Sequence, residues 1–262
     1  MSADEVPAVP AASLILVRDA PELQVLMGER PLAAKAFPGA LVFPGGKLEP
    51  QDADPAWAAR LGVEAEADTD QDMLALKVAA IRETFEEAGV LLARDAAGSA
   101  VDGAAGPIVQ AREAVAGGEL TLLALMHRLG LKPDVAALIP FARWITPLGA
   151  PYRFDTWFFI AAAPPRIAAP VPSREFVSLR WMEVQALASQ GRSGERSMLF
   201  PTRANLGLLA ESASAETAMA AARLRAVKPV MPEPQQQGGR TVMTIRADAG
   251  YSVVQDPRTD AR

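Results

Sequence analysis

Three acidic residues of one type and a regular spacing, Glu83, Glu86 and Glu87, lie in KVAAIRETFEEAGVLLA, residues 77–93. At about 100° per residue of an α-helix they fall on one side, while Val78, Ile81, Phe85 and Ala88 collect on the other. Carboxylates at i, i+3 and i+4 repel one another, each pair costing a few tenths of a kcal/mol when solvated, so such a face is ordinarily just a wetted surface. A bridging cation reverses the sign. Oxygen donors without histidine or cysteine suit Mg²⁺ or Mn²⁺ rather than Zn²⁺. The chain has no cysteine and a single histidine, His127, so a thiolate or multi-histidine metal site and a cysteine nucleophile are excluded. Upstream, the run AlaLeuValPhe (40–43) reads as a short strand stopped by Pro44, Gly45 and Gly46. Backbone without side chains at Gly45 and Gly46 can approach a metal or a phosphate closely.

The elements that must bring these two segments together are legible in outline. SLILVRDAPELQVLM, residues 13–27, reads as a hairpin turning at Asp19-Ala20-Pro21. A short helix is expected around PAWAARLG, and the strongest helical pattern runs from Met73 to Ala93. Helical stretches are expected from Ile108 to Gly130, strands in ALIPFARWITP, YRFDTWFFIAAAP and EFVSLRWMEV, and two helices within Pro201–Ala226. Residues 1–226 are expected to form one α/β domain. Residues 227–262 are read as a linker, PVMPEPQQQGG, and a terminal hairpin in TVMTIRADAGYSVV.

Composition narrows the function classes. With 262 residues, half of them hydrophobic and 22% charged, the chain can bury a sizeable core. Its 26 Lys+Arg against 31 Asp+Glu give a net charge of −5, the wrong sign for non-specific nucleic-acid binding or for electrostatic attachment to an acidic membrane. No apolar stretch reaches the ~18 residues of a membrane span. MSADEVPAVP lacks the basic and apolar regions of a signal peptide. A cytoplasmic protein acting on a small molecule is the expectation, with a homodimer left open.

FPGGKLE followed by IRETFEEAGV resembles the Nudix hydrolases, whose box reads G-x5-E-x7-R-E-U-x-E-E-x-G-U, with U apolar. Arg82, Glu83, Phe85, Glu86, Glu87, Gly89 and Val90 match its second half, with Thr84 at an apolar position. Gly46 begins the first half and Asp52 falls at the x5-E position, but 36 positions separate Gly46 from Arg82 where the box allows 14, so 22 are inserted at about 53–74. The box, residues 46–90, is therefore split rather than lost, because closing a longer loop adds little cost.

A split box resembles the branch with the coenzyme A diphosphatases, whose upstream signature L-L-T-x-R…R-x3-G-x3-F-P-G-G is met at Leu26, Arg30, Gly39 and Phe43 to Gly46. Met27, Gly28 and Pro31 depart from it, and Lys35 replaces the second arginine, keeping the charge without the bidentate fork. The resemblance implies an α/β/α sandwich with a mixed sheet, and metal-dependent hydrolysis of a diphosphate in a nucleotide-linked small molecule. It gives metal ligands Glu83, Glu86, Glu87 and the Gly46 carbonyl, Arg82 as orienter of a glutamate, and Glu83 or a carboxylate outside the box as base. Arg30, Lys35 and Gly45 would hold substrate phosphates, and Glu175 would supply an extra carboxylate. Coenzyme A or its acyl esters head the substrates. ADP-ribose, a dinucleotide or a nucleotide sugar, and a non-catalytic nucleotide-binding module, are the alternatives.

Overall fold

The structure, a computed structural model, describes residues 6–34, 37–62, 68–167 and 175–256. In chain order its elements are β1 (Val9–Asp19), β2 (Leu23–Glu29), β3 (Leu41–Val42), β4 (Gly45–Lys47), α1 (Ala56–Leu61), α2 (Asp68–Ala88), β5 (Ala93–Arg94), α3 (Gly106–Ala116), α4 (Leu122–Arg128), β6 (Lys132–Pro133), β7 (Ile139–Ile145) and β8 (Phe154–Ala162). There follow β9 (Ser178–Glu183), α5 (Val184–Ser193), α6 (Phe200–Leu209), α7 (Ala215–Leu224), β10 (Pro229–Val230), β11 (Glu233–Gln237), β12 (Arg240–Thr244) and β13 (Gln255–Asp256).

A run as apolar as ASLILV wants cover on both faces, and the sheet supplies it. Eight strands join in the order β10-β7-β8-β1-β2-β3, with β4 also on β1 and β9 on β2. Strands β1 and β8 are parallel over nine residue pairs while β1 and β2 are antiparallel, so the sheet is mixed. The side-chain alternation of β1 separates two cores. Ala12, Leu14 and Leu16 pack with Val78, Ile81, Phe85 and Ala88 of α2. Ile15 and Val17 pack with Leu187 of α5, Leu206 of α6 and Ala218 of α7. The result is the expected helix–sheet–helix sandwich, and the apolar side of α2 is the one read from its spacing.

Strand β1 has two successive partners along one edge: Ala11–Ser13 pair with Lys47–Gly45 of β4, and Val17–Asp19 pair with β2. That change of partner sets the glycine pair on β1 and beneath α2.

Several boundaries differ from expectation, each for a local reason. The strand read at 40–43 is β3, which ends at Val42 ahead of Pro44, and Gly45 and Gly46 then begin a further strand, β4, because β1 offers them backbone partners. Helix α2 ends at Ala88, inside the helical pattern that runs to Ala93 and at the glycine able to end it: Gly89 adopts φ +71 and donates its N–H to the Phe85 carbonyl at 2.9 Å. The apolar run Val90–Leu92 continues as buried chain into β5. Helix α5 follows β9 directly and its pattern was missed. The stretch read as a linker is structured: β10 joins the edge of the main sheet on β7, and β11 pairs with β12 across Gly238-Gly239. Both glycines have positive φ, +57 and +79, so they are the hairpin turn itself. Residues beyond β12 return to the main body, where the Tyr251 hydroxyl accepts from Trp144 Nε1 (3.0 Å) and donates to Asn205 Oδ1 (3.1 Å), and Asp256 pairs with Arg203 of α6.

Candidate functional site

Arg82 organises the site. It is 1% exposed, and its guanidinium donates from Nε and Nη2 to both oxygens of Asp52, at 2.8 and 2.9 Å. Nη2 also reaches the Lys47 carbonyl at 3.0 Å, and Nη1 donates to Glu83 (3.0 Å) and Glu86 (3.3 Å). Glu49 stands 3.9 Å away. Burial works against this charge, but the Asp52 hydrogen bond and the attraction of Glu83, Asp52 and Glu86 outweigh it and hold the guanidinium above the ordinary arginine range. Asp52 is fixed in turn: its side chain accepts from the Glu49 N–H at 2.8 Å, in a short helical turn opened by Pro50. The two halves of the split box thus close on one bidentate ion pair. Sequence reasoning placed Asp52 in the box without giving it this task; the signal was its own spacing from Gly46.

The glycine turn meets the carboxylates directly. The Gly45 N–H donates to Glu87 Oε2 at 2.8 Å. A Cβ on Gly46 would stand 2.3 Å from Glu83 Oε1, so only glycine lets that carboxylate lie against the strand. A Cβ on Gly45 would instead strike the β1 backbone, 2.5 Å from the Ala12 carbonyl oxygen. The two glycines are required for different reasons. Glu86, which the resemblance groups with Glu83 and Glu87 as a ligand, is held by Arg82 at 3.3 Å. Thr84, the departure from the box pattern, is fully buried and turns its hydroxyl back onto the Ala80 carbonyl at 2.7 Å, so it fits without a new partner.

Outside the box, Glu175 comes within hydrogen-bonding reach of Glu87, and its Oε2 is 3.9 Å from Arg30 Nη1. Arg30, Glu175, Gly45, Gly46, Glu83 and Glu87 therefore share one neighbourhood. Lys35 lies outside the described residues. Two further arginines are engaged elsewhere: Arg143 makes a bidentate pair with Asp155 at 2.9 and 2.7 Å, and Arg153 donates to the Thr146 and Val6 carbonyls. His127 is exposed on α4, away from these groups.

The electrostatics of the cluster are those of charge in excess. Burial, with repulsion from Glu86 and Glu175, pushes Glu83 up to about 7 although Arg82 pulls it down. Glu86 is raised by burial and by Glu49 and Asp52, against Arg82. Glu87 is raised well above the carboxylate range by burial and by Glu83 and Glu175, against the Gly45 N–H. Among the described residues no three acidic side chains already converge as a finished ligand set. The donors nonetheless fit a divalent cation: all are oxygen, all are partly desolvated, and one more positive charge relieves every repulsion named.

Residues 63–196 match the family described as NUDT19 Nudix domain, 134 of 262 residues. The match starts inside the insertion, so the first half of the box lies outside it and is joined to it by the Arg82–Asp52 pair. The chain is 29% identical over 203 residues to the acyl-coenzyme A diphosphatase NUDT19 of Gallus gallus, covering 57% of this chain and 54% of that protein. It is 30% identical over 164 residues to the protein of that name in Homo sapiens, covering 47% and 44%. It thus spans about half the length of these relatives. Among solved structures, a Nudix hydrolase from Alicyclobacillus acidocaldarius superposes with a TM-score of 0.71 at 32% identity, over 82% of this chain and 96% of that one. With a family match over half of its length and a solved relative aligned nearly end to end, the chain belongs to the Nudix hydrolases.

Proposed function

We propose that this protein hydrolyses the diphosphate bond of a nucleotide-linked small molecule with Mg²⁺ or Mn²⁺, and that the substrate is coenzyme A or an acyl ester of it. The observation that carries the reading is the pairing of α2 with the glycine turn: Glu83 lies against Gly46 and Glu87 on the Gly45 N–H, in a patch whose carboxylates are short of positive charge.

Glu83, Glu86, Glu87 and the Gly46 carbonyl would hold the metal. Once bound, a divalent cation neutralises charge developing on the phosphate oxygens and lowers the pKa of a water. Arg82 keeps Glu83 and Glu86 in one orientation by charge-assisted hydrogen bonds, and Asp52 keeps Arg82 there. Either Glu83 or a carboxylate outside the box, with Glu175 beside Glu87 the candidate, would take the proton of the attacking water. Arg30, 3.9 Å from Glu175, would take a substrate phosphate.

The substrate assignment draws on the upstream signature through Arg30 and on relatives named as acyl-coenzyme A diphosphatases. Steady-state cleavage of coenzyme A and of ADP-ribose by wild type and Arg30→Ala tests it. The expected result is a larger loss of kcat/KM on coenzyme A. Equal losses on both would overturn the coenzyme A assignment and leave diphosphate hydrolysis standing.

A further inference from the structure

Helix α2 delivers its glutamates from its final two turns, where intrahelical bonding gives out and the last four carbonyls lack a donor. Here two of those carbonyls are met from outside the box. The Phe85 carbonyl accepts from the Gly89 N–H. The next two, of Glu86 and Glu87, accept from Arg112 of α3, from Nε at 3.1 Å and Nη2 at 2.8 Å. Gly89 is called for by its backbone, at φ +71, and a Cβ there would meet Arg112 Nη1 only in ordinary contact at 3.4 Å. The guanidinium also places a cation at the negative end of the helix dipole.

Resting on the metal reading above, we propose that Arg112 is a positioning residue for the site. By clamping the backbone of Glu86 and Glu87 it fixes how far their side chains stand from Gly45 and Gly46. Arg112 hydrogen-bonds those two residues at their carbonyls and its charge also acts on the Glu87 carboxylate, so its effect reaches the metal chiefly through the helix end. Arg60 of α1 is a natural control. It grips carbonyls in the same way, those of Met126 in the last turn of α4 and of Leu131 just after it, at 2.6 Å each.

The test is Mn²⁺ titration of the full chain followed by electron paramagnetic resonance, a readout independent of turnover, with thermal melts alongside. Arg112→Ala should weaken Mn²⁺ binding about tenfold, as loss of an outer support typically does. Arg112→Lys, which keeps the charge and loses the fork, should fall between, and decides the matter if the alanine variant does not fold. Arg60→Ala should melt earlier with unchanged Mn²⁺ affinity. Wild-type affinity in a folded Arg112 variant, or an equal loss in Arg60→Ala, would overturn the positioning role. Wild-type protein that binds no Mn²⁺ would overturn the metal reading itself, and this inference with it.

Discussion

Replacing Asp52 by alanine removes the partner that receives two hydrogen bonds from a guanidinium only 1% exposed. Breaking a buried pair by deleting one member costs about 3–5 kcal/mol, because the survivor stays buried and charged. Here the survivor keeps Glu83 at 3.0 Å and Glu86 at 3.3 Å, which argues for the lower end, about 3 kcal/mol. At about 2–4 °C per kcal/mol for a chain of this size, the melting temperature should fall by roughly 6–12 °C. Urea denaturation and thermal melts followed by circular dichroism measure both. Adding Arg82→Met removes the stranded charge, so the double variant should be more stable than the two single losses add up to. In the single variant the freed guanidinium remains on Glu83 and Glu86, so more Mn²⁺ should be needed for half-maximal binding. A loss below about 1 kcal/mol, the value of an exposed pair, or strict additivity with Arg82→Met, would refute the closed-box reasoning.

The two glycines should separate function from folding. Gly46→Ala sets a methyl 2.3 Å from a movable carboxylate, so it should fold and lose activity by about 100-fold. Gly45→Ala meets β1 backbone and should cost about 1–3 kcal/mol in urea denaturation. Glu83 and Glu87 titrate above their unfolded values, so in metal-free protein the native state holds protons that the unfolded chain has already released. Metal-free stability should therefore fall as pH rises from about 4.5 towards 7, the span of the Glu83 shift. Mn²⁺ should accordingly raise the melting temperature more at about pH 8 than at about pH 5, and the reverse order would contradict the carboxylate assignment. Tyr251→Phe removes the hydroxyl shared by Trp144 and Asn205 and should cost about 1–3 kcal/mol, with no change in Mn²⁺ affinity.

Much of the site was legible because its signals are local. A 3.6-residue period sorts Glu83, Glu86 and Glu87 from Val78, Ile81, Phe85 and Ala88, and the second set is the one that packs in the apolar core, whereas Glu87 is buried against the Gly45 N–H. Even the insertion was readable, since Asp52 keeps its distance from Gly46. What escaped depends on contacts between segments far apart in sequence. Nothing near Gly45 announces that β1 will pair with it. Nothing near Arg112 announces the end of α2, and the turn of Glu86 towards Arg82 is a choice among competing partners. The C-terminal misreading was different: Gly238-Gly239 is a strong hairpin signal that the polar composition of PEPQQQGG obscured.

The central claim, diphosphate hydrolysis by a metal held on the α2 glutamates, is tested most directly by product analysis. Coenzyme A is incubated with Mg²⁺ or Mn²⁺ and the protein, wild type against Glu86→Gln, with chelator as a second control. The account predicts phosphopantetheine and 3′,5′-adenosine bisphosphate from the wild type, lost in the variant and in chelator. Cleavage that persists undiminished in Glu86→Gln, or a wild type that leaves coenzyme A, ADP-ribose and dinucleotides all intact, would contradict it.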